Sequence, residues 1–233
     1  MIDEIIKELK KRASGEKAKN LIRFFKTGKG DYGEGDKFIG LTNPQVREVV
    51  KRYVNISVNE LDPLIKSEIH EFRLTALLIL VAQYKKGDKS KKKRIFDFYL
   101  ENIKSVNNWD LVDLTAPHIT GAYLFDKNRD LLYDFAKTDN LWLKRIAIIS
   151  TFYFIRKNEF KDTLSISEIL LNDKRDLINK AVGWMLREIG KRDIKTEENF
   201  LIKRYKYMPR TMLRYAIEKF PEEKRQKYLK GEI

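Results

Sequence analysis

The sequence predicts an all-α fold, an α-solenoid of stacked helix pairs, and three observations carry that reading. Apolar residues recur with helical period along the chain, and no run of alternating β-branched residues marks a strand. Segments of similar pattern recur, each opened by an aromatic or other apolar residue: FRLTALLIL at Phe72, WDLVDLTAP at Trp109, WLKRIAIIS at Trp142, INKAVGWML at Ile178 and MPRTMLRYA at Met208. Their starts lie 37, 33, 36 and 30 residues apart, the spacing of helix pairs that bury their apolar faces only by stacking on neighbours. Finally, 233 residues with an apolar fraction of 42% suffice for one continuous core, so 1–233 reads as a single repeat domain.

In chain order, MIDEIIKELKKR is an amphipathic helix with acids and bases mixed, not a signal peptide. GKGDYGEG holds Gly28, Gly30 and Gly33 in a literal G-x-G-x-x-G. A dinucleotide fingerprint needs a preceding strand inside a βαβ unit, whereas here the preceding AKNLIRFFK is helical. The kinase loop fails for want of its companion segments. The stretch reads as a flexible helix–helix connection. LTNPQVREVVKRY opens the next helix, with Thr42 or Asn43 as N-cap and Pro44 at the first helical position. The apolar run LTALLILVA is nine residues, far short of a membrane span, which places the chain in the cytoplasm.

The charge balance points to a polyanion. Lys and Arg number 48 against 34 acids, a net +14. Cysteine is absent and there are two histidines, His70 and His118, so neither a thiolate nucleophile nor a His-rich metal centre is expected, and no cofactor is implied. The basic residues form stripes on the second helix of each pair. Lys180, Trp184, Arg187 and Lys191 follow at spacings of 4, 3 and 4, Arg210 and Arg214 repeat the arrangement, and Arg47 and Lys51 do so near the start. A solvated face would explain such charges, but it rarely includes an indole. The stripes therefore read as the phosphate-facing side of a curved solenoid with a basic concave face.

NNWDLVDLTAPHI is the segment that asks for chemistry. With Asn107 or Asn108 as N-cap, Trp109 and Asp113 lie one turn apart on one face of a short helix that Pro117 kinks or stops. Free amides near a helix start favour an ionised carboxylate, so Asp113 is suited to oppose positive charge or orient a water. Asp110, one position on from Trp109, is expected to bond backbone or a neighbouring helix. The pair alone is equally compatible with a core indole beside a surface acid.

Together, WDLVD, WLKRIAII and KAVGWMLRE, in this order within a basic all-helical repeat protein, closely resemble the HEAT-repeat alkylpurine DNA glycosylases, the AlkD family of DNA alkylation repair enzymes. The resemblance runs from FIGLTNPQVRE to MLRYAIEKF. It implies HEAT-like repeats, a monomer acting on duplex DNA, and a site made of Trp109, Asp113, Arg145 and Trp184, with Lys180 and Arg187 facing DNA. A site tyrosine of the family falls on Phe24, which keeps the aromatic face and loses the hydroxyl; Tyr32 is the candidate to replace it. The resemblance also implies capture of the lesion through its backbone, without a tight base pocket, so that lability of a charged base decides what is released.

The implied reaction is hydrolysis of the N-glycosidic bond of purines alkylated at N3 or N7, whose positive charge makes them good leaving groups without a general acid. Asp113 would oppose the cationic sugar, the two tryptophans pack against it, and Arg145 grip a phosphate. The rival is a non-catalytic HEAT scaffold that binds nucleic acid, which needs the basic stripes but not the acid. Arg145 paired with a neighbouring acid and Trp184 packed between repeats are the bland alternatives.

Overall fold

The computed structural model describes residues 1–233. The chain is all helical. No β-strand forms, and one isolated bridge joins Lys37 to Ile69. No helix is long and apolar enough to cross a membrane. The chain divides into two compact units, Met1–Ile119 and Thr120–Ile233.

The first unit holds α1 (Ile2–Lys11), α2 (Gly15–Phe24), α3 (Asn43–Arg52), α4 (Asp62–Ile65), α5 (His70–Lys86), α6 (Lys89–Glu101) and α7 (Trp109–Thr115). The apolar run LTALLILVA lies in α5, which is buried around its circumference, and α3, α4, α6 and α7 pack on it. A helix apolar all round needs such a jacket. Thr42 is the N-cap of α3, its N–H donating to Gln45 Oε1 at 2.9 Å, and Pro44 is the second helical residue rather than the first.

The glycine-rich stretch does connect two helices, yet it is braced. Gly30 N–H donates to Glu34 Oε2 at 2.8 Å, and Gly33 N–H to the Lys26 carbonyl at 3.1 Å. A Cβ on Gly33 would stand 2.5 Å from the Phe25 carbonyl, so only glycine fits. Further on, the buried Glu71 carboxylate accepts the N–H groups of Ile39, Gly40 and Leu41. The loop is thus fastened to the start of α5.

The second unit holds α8 (Ala122–Leu124), α9 (Asp130–Lys137), α10 (Leu141–Ser150), α11 (Phe152–Ile155), α12 (Lys161–Ile169), α13 (Asp176–Gly190), α14 (Ile194–Ile202), α15 (Arg210–Ala216) and α16 (Glu222–Lys230). The recurring segments fall on α5, α7, α10 and α13 and run into α15. In this unit α10 packs on α13 and α13 on α15, with α9, α12 and α14 against them. Gly183 sets the closest approach: a Cβ there would lie 2.4 Å from the Met212 carbonyl and 2.6 Å from Tyr215 Cβ. Asn140 caps α10, its side chain accepting from Trp142 and Leu143 N–H.

Candidate active site

Asn108, the second of the two asparagines, caps α7, so Trp109 is its first residue and Asp113 its fifth. The helix ends at Thr115, and Pro117 begins a turn of π-helix. One amide at the helix start serves Asp110: Leu111 N–H donates to Asp110 Oδ1 at 2.8 Å. Asp113 follows one turn after Trp109, as the fifth residue of the helix. Trp109 and Asp113 nevertheless share one side of α7, both half-buried, and line a cavity of about 600 Å³ with Phe24, Phe25, Phe38 and Leu74.

Aromatic rings make one wall. Trp109 stacks on Phe25 with centroids 5.3 Å apart, and Phe25 stacks in turn on Phe38 at 5.1 Å. Phe24 stands at the rim, 62% exposed, its ring edge-on to Trp109 at 5.8 Å. The Tyr32 hydroxyl donates to the Phe24 carbonyl at 3.4 Å, so it buttresses the backbone that carries Phe24.

Beneath the wall runs a buried polar network that sequence reasoning missed. His70, 2% exposed, places Nδ1 3.2 Å from Asp36 Oδ2 and Nε2 2.9 Å from Asp110 Oδ2. Asp36 also accepts from Arg73 Nη2 at 2.6 Å and from Asn108 Nδ2 at 3.0 Å. Asp110 therefore bonds a neighbouring helix, as expected of it. Burial by itself pulls the imidazolium down, but the bonds to Asp110 and Asp36 outweigh it and hold His70 at about 9. Burial raises the Asp36 carboxyl, and its bond to His70 and the Arg73 charge reverse that, leaving it below the usual range. No set of three or more His, Asp or Glu side chains is arranged to hold a metal ion.

The other site residues inferred from sequence belong to the second unit. Arg145, 5% exposed on α10, donates from Nη1 to the Leu177 carbonyl at 2.5 Å, which ties it to the start of α13. Trp184 is half-buried on α13, faces Phe152 at 5.7 Å between centroids, and donates from Nε1 to Glu188 Oε1 at 3.1 Å. Lys180, Trp184, Arg187 and Lys191 lie off the buried face formed by Ile178, Val182, Met185 and Ile189. Acids accompany each base of that stripe: Lys180 pairs with Asp176 at 2.8 Å, Lys191 with Glu188 at 2.6 Å, and Arg187 with Glu218. Arg210 and Arg214 are exposed on α15, Arg210 donating to the Leu229 carbonyl at 2.9 Å; Arg47 and Lys51 are exposed on α3.

The family model described as DNA alkylation repair enzyme matches residues 5–220, nearly the whole chain. The chain belongs to the DNA alkylation repair enzyme family. Among solved structures, a "Predicted DNA alkylation repair enzyme from Enterococcus faecalis" superposes with a TM-score of 0.71 at 14% identity, over 91% of this chain and 98% of that one. At that identity the likeness shows a shared fold. No curated protein matches the sequence.

Within this family member, Trp109, Asp113 and Phe24 come together in one cavity, while Arg145 and Trp184 are held by contacts inside the second unit. The residues missed, Asp36, His70 and Arg73, carry no motif. The one signal was the burial expected at the head of a fully apolar helix, where His70 and Arg73 need buried partners.

Proposed function

We propose that the protein is a monofunctional DNA glycosylase that hydrolyses the N-glycosidic bond of positively charged N3- and N7-alkylated purines in duplex DNA. The observation that carries this reading is a carboxylate, Asp113, beside an indole, Trp109, in one aromatic-walled cavity. Membership in a DNA alkylation repair family supplies the substrate class. The reading takes the recurring helices as HEAT-like repeats of a solenoid with a basic concave face. Their second helices offer Lys180, Arg187, Lys191, Arg210, Arg214, Arg47 and Lys51 to phosphates.

The chemistry follows from the leaving group. The alkylated purine is already cationic, so the bond from C1′ to the base nitrogen breaks with its electron pair returning to the ring, which leaves as a neutral base. Positive charge develops on the sugar. Asp113 opposes that charge, and its carboxylate takes the proton of the water whose oxygen bonds to C1′. Trp109 shields the sugar and favours a cation with its π face. Arg145 holds the lesion strand through a phosphate.

The test is to incubate the protein with methylated duplex DNA and separate the released bases. Release of N3-methyladenine and N7-methylguanine, with a uracil-containing duplex untouched, is the expected outcome. Binding without release would move the protein to the scaffold reading, and efficient uracil excision would contradict the leaving-group argument.

A further inference from the structure

His70 is fixed in a setting that favours the protonated ring. A carboxylate oxygen faces each ring nitrogen, Asp36 from the loop before α3 and Asp110 from α7. An ionised carboxylate accepts and does not donate, so with both acids charged the two contacts are hydrogen bonds together only when each ring nitrogen carries a proton. The charges then balance within the cluster: Asp36 and Asp110 against His70 and Arg73, with Arg73 bonded to Asp36. A neutral imidazole would set a lone pair against one carboxylate and leave a net buried negative charge, which opens one of the two contacts.

Both contacts bear on α7. Asp110 is its second residue, and Asn108, its cap, donates to the Asp36 oxygen that faces His70. A second route runs through rings: His70 lies 5.0 Å from Phe25, which stacks on Trp109 at 5.3 Å. The helix so anchored has seven residues, and it carries Trp109 at its first position and Asp113 at its fifth.

We propose that His70, as an imidazolium clamped between Asp36 and Asp110, is a positioning residue that sets the start of α7 and through it the placement of Trp109 and Asp113 in the cavity. The effect on catalysis rests on the glycosylase reading; the effect on Trp109 does not. His70 touches no reacting atom in this scheme, and its action is through the helix.

The experiment has two arms on the full chain. In the first, Trp142→Phe with Trp184→Phe leaves Trp109 as the one tryptophan, and its emission is followed from pH 7 to 10 beside the ¹⁵N resonances of the His70 ring. The expected result is a step in emission with the midpoint of the His70 titration, absent when His70→Gln is added. Emission that stays flat while His70 titrates overturns the proposal, whatever reaction the protein performs. The wild-type ring decides this arm even where His70→Gln does not fold.

In the second arm, single-turnover release of N3-methyladenine from duplex DNA is measured over the same range and corrected for spontaneous loss. Spontaneous loss from the same duplex over the same range reports any titration of the substrate itself. Release is expected to fall about a hundredfold as His70 loses its proton, the loss that follows a small misplacement of site groups. His70→Gln is expected to be slow at pH 7 and insensitive to pH, with duplex affinity unchanged. A folded His70→Gln protein as fast as wild type at pH 7 overturns the proposal. No release by wild type at any pH refutes the glycosylase reading, and the emission arm still decides the role of His70.

Discussion

Phe24 meets Trp109 edge-on, with the ring planes at 70° and most of Phe24 in solvent. An exposed phenyl ring braced by an indole at a cavity rim offers a stacking surface at little cost in stability. Phe24→Ala is expected to weaken binding to a lesion-bearing duplex by roughly tenfold, in line with about 1–3 kcal/mol for base–aromatic stacking. The melting temperature should barely move, since surface substitutions rarely exceed about 0.5 kcal/mol. Phe24→Tyr should bind as wild type. Anisotropy titration with a labelled duplex checks this, and unchanged binding by Phe24→Ala removes the residue from the DNA interface.

Stability should fall as pH rises from about 6.5 to 9. His70 moves from an ordinary 6.5 to about 9 on folding, so its contribution is full below 6.5 and is lost as pH climbs through 9. Across that window the loss is on the order of 3 kcal/mol. Glu197 acts in the same direction: burial, reinforced by Glu198 and opposed by Arg187, pushes its carboxyl up to about 9, and the folded chain keeps a proton that the unfolded chain releases above 4.5. Asp36, held low, contributes above its ordinary 3.8 and is lost only in acid. Urea midpoints at pH 6, 7, 8 and 9 should decline steadily, with Glu197→Gln reducing the slope. Midpoints that are level or rising contradict the assignment.

What the sequence disclosed, and what it hid, divides by distance along the chain. The turn between Trp109 and Asp113, a cap at Asn107 or Asn108 and the recurrence of α5, α7, α10 and α13 are local or periodic patterns and were legible, while the choice of Asn108 came from the structure. His70 meets Asp36 and Asp110 across 34 and 40 residues. No spacing rule joins such residues, so His70 had no partner legible in the sequence. The charge stripe on α13 was legible as a stripe, but Glu218, 31 residues beyond Arg187, was not legible as its partner. The glycine-rich loop read as flexible because its anchor, Glu71, lies more than thirty residues further on.

Gly183 tests the packing of the recurring helices. Any Cβ there meets the Met212 carbonyl and Tyr215, and backbone cannot move aside as a flexible side chain can. Gly183→Ala is expected to cost about 1–3 kcal/mol through separation of α13 from α15, despite the better helix propensity of alanine. A melting temperature at or above that of wild type would show that the interface yields.

Because Lys180, Arg187 and Lys191 are paired with acids, phosphates must displace those acids to bind. Affinity for undamaged duplex should fall steeply and log-linearly with salt, and Lys180→Ala should reduce the slope by about one. Glu218→Gln releases Arg187 and should tighten binding at low salt. Nearly salt-independent affinity, or weaker binding by Glu218→Gln, would remove α13 from the DNA-binding face.

The central claim is that Asp113 opposes charge developing on the sugar. Such an interaction strengthens in the transition state, so its loss appears in rate rather than affinity. Asp113→Asn keeps size and much of the hydrogen bonding while removing the charge. The measurement is single-turnover release of N3-methyladenine from saturated duplex DNA by wild type and Asp113→Asn, with Asp110→Asn alongside. Asp113→Asn is expected to be slower by roughly tenfold to a thousandfold, the usual range for one preorganised electrostatic group. Its DNA affinity should be unchanged or slightly higher, and Asp110→Asn should lose stability more than rate. Release by Asp113→Asn at the wild-type rate, with equal DNA binding, would contradict the account.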